Sequence, residues 1–133
     1  MKIAASKEKP VKLAVYGSLR SGFHNHGILK DSTLLGTYVT EGSFTMYDSG
    51  AYFPIVIDRG LTPIEYELYE ITDNSVMQSI HKLEGCTGIP GDKDNWYDLN
   101  KITTPEGEAW IYVMHTRQPL KEIESGIWFK QEY

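Results

Sequence analysis

The chain has 133 residues, 41% of them hydrophobic and 23% charged, with a formal net charge of −5. That length suits one domain with a real core, and the acidic balance argues against general nucleic-acid binding, which needs a basic face. A single cysteine excludes an internal disulfide framework and a cysteine-rich zinc module, and no apolar run approaches the roughly 18 residues that span a bilayer.

Residues 1–10 (MKIAASKEKP) read as a polar, partly mobile lead-in, its apolar stretch too short for a signal peptide. Residues 11–133 read as a single domain, expected to be cytoplasmic with no membrane partner. VKLAVY (11–16) is a short apolar run ending at Gly17, the mark of a buried strand. Ser21-Gly22 opens a loop, and Asn25 to Leu35 is expected to hold a short helix. GTYVTEGSFTMYD (36–48) reads as one or two strands around Gly42, and residues 52–58 as another, with Pro54 marking an edge or bulge. IEYELYEI (64–71) alternates: Ile64, Tyr66 and Leu68 point one way, Glu65, Glu67 and Tyr69 the other. Residues 72–83 form the clearest helix, capped by Thr72 or Asp73 and closed near Gly85. Pro105-Glu106-Gly107 joins two strands, 101–104 and 108–115, as a hairpin. Leu120, Ile123, Ile127, Trp128 and Phe129 should dock the tail on the domain. The sum is an α+β fold with a compact, mixed, barrel-like sheet flanked by a few helices.

The helix carries an acid in an apolar arc. At about 100° per residue, with Val76 at zero, Ile80 lies at about 40°, Met77 at about 100° and Leu83 at about −20°. Those four define the expected core face, and Glu84 falls between Ile80 and Met77. Desolvation and the negative helix C-terminus both favour its protonated form, which suits a general acid or base near neutral pH. The plainer alternatives are that the helix end frays and Glu84 turns to solvent, or that it pairs with a lysine.

The turn Tyr16-Gly17-Ser18-Leu19-Arg20 is the second candidate. Gly17 permits close approach of a ligand, successive amides can cradle an anion, and Arg20 can add positive charge. Gly17 to Gly22 matches half of a nucleotide-binding loop, but Phe23-His24 stands where Lys and Ser or Thr are required, so triphosphate chemistry is rejected. His24 and His26 lack a third ligand of evident spacing, and His81 and His115 are scattered, so the histidines read as structural or surface residues rather than a metal site. Cys86 reads as a small buried residue rather than a nucleophile. Residues 88–95 read as a flexible polar loop: a lid, or a plain connection.

Taken together, Val15-Tyr16-Gly17-Ser18-Leu19-Arg20 with Gly22 and Asn25-His26, Gly36, Met46-Tyr47, Tyr52-Phe53-Pro54, residues 67–71, Leu83-Glu84-Gly85, Tyr97 and residues 109–113 resemble the gamma-glutamylcyclotransferase-like superfamily. The resemblance spans roughly residues 12–115. It implies that the turn and Glu84 meet at one cavity, that the small-molecule substrate carries an L-gamma-glutamyl group, and that 5-oxoproline and a free amine are the products. It assigns catalysis to Glu84 and substrate binding to Tyr16, Gly17, Ser18, Leu19 and Tyr97, with no cofactor. The oxyanion donor is left open between a turn amide and the Tyr97 hydroxyl. Ile80-His81 replaces a common Leu-Asp pair, and Tyr97-Asp98-Leu99 lacks the arginine of a common Tyr-x-Arg pattern. A module that binds a small anionic metabolite in the same cavity without turnover is the alternative. Oligomeric state has no signal in the sequence.

Overall fold

The computed structural model of the protein describes residues 2–51, 53–115 and 121–128. The elements in chain order are β1 (Val11–Val15), a 3₁₀ turn (His26–Leu29), β2 (Thr33–Val39), β3 (Phe44–Asp48), β4 (Pro54–Thr62), β5 (Glu65–Ile71), α1 (Asn74–Leu83), β6 (Asp98–Thr104), β7 (Gly107–Val113) and β8 (Lys121–Glu122). Five strands form one sheet in the order β2-β5-β1-β7-β6, and three form another, β4-β3-β8. β1 runs antiparallel to β5 and parallel to β7, which explains why its sequence is apolar apart from Lys12: Leu13, Ala14 and Val15 are buried on both faces.

Strand alternation sorts the core into two layers. Leu13 and Val15 of β1, with Tyr69, Leu99 and Tyr112, pack with Met77 and Ile80 of α1. Ala14, Tyr66, Leu68 and Ile111 pack on the other face with Met46 and Val56 of the second sheet. The α+β class therefore holds. The barrel-like expectation resolves into two packed sheets that do not close, joined where the Met114 amide donates to the Val56 carbonyl at 2.9 Å. Among the described residues no helix is long and apolar enough to cross a membrane.

Several local expectations change. The helix expected over 25–35 shrinks to one 3₁₀ turn, because Thr33 onward pairs with β5. Pro54 does open an edge strand, but β4 runs on to Thr62 through a register shift opposite Phe44-Thr45. Tyr69 shares the side of Glu65 and Glu67, yet it is buried, because that side of β5 lies under α1. Ile3 and Ala5 of the lead-in are tied down: the Ile3 amide donates to the Gly88 carbonyl at 2.6 Å and the Ala5 amide to Asn74 Oδ1 at 3.0 Å. In the tail, β8 pairs with β3 and Trp128 is buried, whereas Leu120 and Phe129 lie outside the described residues.

Candidate active site

One end of the site is a turn that the chain braces from outside itself. The Arg20 amide closes back on the Gly17 carbonyl at 3.0 Å. Asn25 then grips Ser18 twice, its amide donating to the Ser18 carbonyl at 3.0 Å and its Nδ2 to the Ser18 hydroxyl at 2.8 Å. His26 Nδ1 donates to the Leu19 carbonyl at 2.9 Å. Space at Gly17 is tight: a Cβ there would stand 3.1 Å from the ring of Pro54, which would have to shift by a few tenths of an ångström. Among the described residues no protein group takes the Ser18 or Leu19 amide, so these donors are available to a ligand.

The other end is the C-terminus of α1. Asp73, not Thr72, caps the N-terminus by accepting from the Ser75 amide at 2.9 Å. At the far end the Cys86 amide reaches the His81 carbonyl at 2.8 Å and the Gly85 amide the Lys82 carbonyl at 3.3 Å. This is a Schellman ending with Gly85 left-handed at φ +62. It fixes Glu84 as the cap residue instead of letting the end fray. The buried arc of α1 is Met77, Ile80 and His81, with Glu84 near its middle; Leu83, expected in the core, lies off that arc and is 42% exposed.

Turn and helix end face one cavity of about 430 Å³. Tyr16, Gly17, Ser18, Leu19, Glu84 and Tyr97 all line it, together with Tyr112 and Asn25. Glu84 is the one carboxylate among the described lining residues. Its residue keeps some contact with solvent through the cavity, but burial of the carboxyl group raises its pKa from 4.5 to about 7.

Three tyrosines around Glu84 have already spent their protons. The Tyr16 hydroxyl donates to the Tyr112 carbonyl at 2.7 Å, and the Tyr97 hydroxyl to the Pro54 carbonyl at 2.6 Å. The Tyr112 hydroxyl lies 2.8 Å from His81 Nδ1, while His81 Nε2 lies 3.0 Å from the Ile3 carbonyl. A carbonyl only accepts, so Nε2 carries the proton and Nδ1 accepts from Tyr112. Burial lowers the His81 pKa and keeps the ring neutral. Burial raises all three phenols, and the Glu84 charge adds to each. Glu84 therefore has oxygen lone pairs nearby and receives no phenolic proton from these three tyrosines to steady its charge. Such a lining suits a neutral carboxylic acid or an ammonium group.

Residues 13–130 match the family model described as gamma-glutamyl cyclotransferase, AIG2-like. The chain belongs to this family. A putative gamma-glutamylcyclotransferase of Vibrio cholerae is 35% identical over 115 residues, covering 86% of this chain and 91% of its own. A Niallia circulans protein named gamma-L-glutamyl-butirosin B gamma-glutamyl cyclotransferase is 30% identical over 121 residues, covering 87% and 74%. A crystal structure from Pyrococcus horikoshii superposes with a TM-score of 0.70 at 29% identity, covering 88% of each chain.

Within this gamma-glutamyl cyclotransferase family chain, some sequence candidates sit away from the cavity. Arg20 does not line it: its guanidinium donates to the Trp128 carbonyl and lies 4.5 Å from the Phe23 ring centroid. Cys86 is buried and its thiol pKa is raised by burial, while His81 is committed to Tyr112 and Ile3. The 88–95 loop is stapled rather than free. Asn95 Oδ1 accepts from the Thr87 amide at 2.7 Å, Asn95 Nδ2 donates to the Ile89 carbonyl at 2.9 Å, and Asp98 Oδ1 accepts from the Gly91 amide at 2.8 Å. None of its residues lines the cavity. Sequence reasoning missed Asn25 as the brace of the turn, and Tyr112 and His81 as neighbours of Glu84. Tyr112 had a signal: a tyrosine inside a buried strand must find a partner for its hydroxyl. Among the described residues no group of three His, Cys, Asp or Glu side chains is placed to hold a metal ion.

Proposed function

We propose that this chain cyclises L-gamma-glutamyl amines or gamma-glutamyl amino acids to 5-oxoproline, releasing the amine. The observation that carries the reading is Glu84: the one carboxylate among the described lining residues, its pKa raised to about 7, facing a braced turn whose Ser18 and Leu19 amides no described protein group takes. The amides of Gly17, Ser18 and Leu19 hold the substrate's α-carboxylate, as such a turn suits an anion. The α-ammonium then lies toward Glu84 and the tyrosine lone pairs. Glu84 takes a proton from it, and the freed nitrogen attacks the γ-carbonyl carbon to close a five-membered ring. The carboxyl group relays the protons that the ring nitrogen loses to the departing nitrogen as the C–N bond breaks. Because the nucleophile is tethered, the protein's task is to hold the folded substrate and order the proton transfers.

With the Tyr97 proton given to Pro54, one of these three turn amides is the better oxyanion donor of the two candidates, which leaves the other two to the α-carboxylate. A module that only captures an anion has no use for a buried acid poised at neutrality, so the binding alternative lacks support from this site. The test is incubation with gamma-glutamyl dipeptides, gamma-glutamyl amines and glutathione, with 5-oxoproline read by mass spectrometry. Donors acetylated on the α-nitrogen serve as controls. Product from free donors and none from acetylated ones is expected; no product from any donor would overturn the reading.

A further inference from the structure

The mouth of the cavity has a rim that the mechanism above does not use. Leu83 is 42% exposed and Trp96 is 73% exposed, and both line the cavity. Scattered exposed apolar residues need no explanation, but these two stand together beside a carboxylate. Backbone bonds hold them there: the Trp96 amide donates to the Gly85 carbonyl at 2.9 Å and the Tyr97 amide to the Glu84 carbonyl at 3.3 Å. Trp96 crosses the helix end so closely that a Cβ on Gly85 would lie 3.0 Å from its own Cβ. The backbone and Cβ of Trp96 are thus anchored at the helix end while most of the side chain remains in water. Lys82 also lines the cavity and has no ion-pair partner among the described residues.

We propose that this rim is the subsite for the departing group, and that it selects an L-amino acid with a large apolar or aromatic side chain. This rests on the cyclotransferase reading. With the gamma-glutamyl part between the turn and Glu84, the scissile amide points the departing residue toward the mouth. Its side chain packs on Leu83 and the Trp96 indole, and its carboxylate faces Lys82. An amine that keeps a second, charged nitrogen finds the opposite match, since that ammonium meets Lys82 and no second carboxylate among the described lining residues.

The experiment compares gamma-L-glutamyl-L-phenylalanine, gamma-L-glutamyl-L-alanine and gamma-glutamyl-cadaverine. Turnover is followed by 5-oxoproline release, and binding by calorimetry on Glu84→Gln, which removes the proton relay but keeps the cavity. The wild type is expected to prefer the phenylalanine donor over the alanine donor by about tenfold or more in kcat/KM, the order a single apolar pocket contact supplies. The cadaverine donor should be poorest. Trp96→Ala should bring the phenylalanine-to-alanine ratio near one, and Trp96→Phe should restore most of it, which separates lost contact from lost folding. Equal turnover of the two dipeptides, or a ratio indifferent to Trp96→Ala, would overturn the subsite and leave the cyclotransferase standing. Tighter binding of the phenylalanine donor without turnover would support the subsite and overturn the cyclotransferase. Neither binding nor turnover overturns both.

Discussion

At the residue scale, Glu84 is the acid on which the proposed chemistry rests, and it carries a cost in stability. Its folded pKa of about 7 lies above the ordinary 4.5. Between those values the unfolded chain gives up the proton and the folded chain keeps it, so this group's stabilisation is complete below pH 4.5 and is lost as pH rises through 7. The loss is about 3 kcal/mol at most, from 1.36 kcal/mol per pKa unit. Urea unfolding of the wild type and Glu84→Gln at pH 4.5 and pH 8 checks this. The difference between the two proteins should shift in favour of the variant at the higher pH, and a pH-independent difference would place Glu84 in an ordinary solvated setting. In the proposed reaction the ionised form is the base, so kcat/KM is expected to rise through about pH 7. Glu84 was legible in the sequence because helical period alone put a carboxylate in an apolar arc. Arg20 misled, because proximity to the turn in sequence says nothing about where a long side chain reaches, and it reaches Trp128. The tyrosine hydroxyl directions were not legible either, since each depends on a carbonyl or imidazole more than 30 residues away.

At the element scale, the ends of α1 have separate duties. Asp73→Ala removes the N-terminal cap far from the cavity. It should lower the urea midpoint slightly and leave turnover by the folded protein unchanged. Gly85→Ala forces a side chain into the left-handed region, which costs roughly 1–2 kcal/mol, and presses it on Trp96. It should reduce both the urea midpoint and kcat/KM, because the same ending aims Glu84. If Gly85→Ala lowered stability and left kcat/KM intact, the Schellman ending would have no part in positioning the acid. Both ends were legible from capping chemistry. The strands were legible from alternation and from the hairpin residues, whereas the 3₁₀ turn was not, because Thr33–Leu35 joins β2 only through its pairing with β5.

At the scale of the whole molecule, the layered arrangement brings a turn near residue 18 to a helix end at residue 84. Their meeting depends on β1 lying between β5 and β7, a non-local pairing that periodicity does not encode. The resemblance implied the meeting of turn and helix end, whereas the strand pairing and the division into two sheets were supplied by neither. The tail takes part in the assembly: Trp128 is 3% exposed within the core layer between the sheets, and its carbonyl receives Arg20. Trp128→Ala should destabilise the protein by about 3–5 kcal/mol, as loss of a buried aromatic does. A change under about 1 kcal/mol in urea unfolding would mean that the tail is an ornament to the fold.

The most direct measurement is the rate of 5-oxoproline formation by Glu84→Gln against the wild type, using whichever gamma-glutamyl donor the wild type turns over best. Ligand binding by the folded variant is confirmed by calorimetry. The account predicts that binding survives while turnover falls by about 10²–10⁴-fold, the range for loss of a general acid-base group. Turnover near the wild-type rate in that variant would contradict it and take Glu84 out of the mechanism.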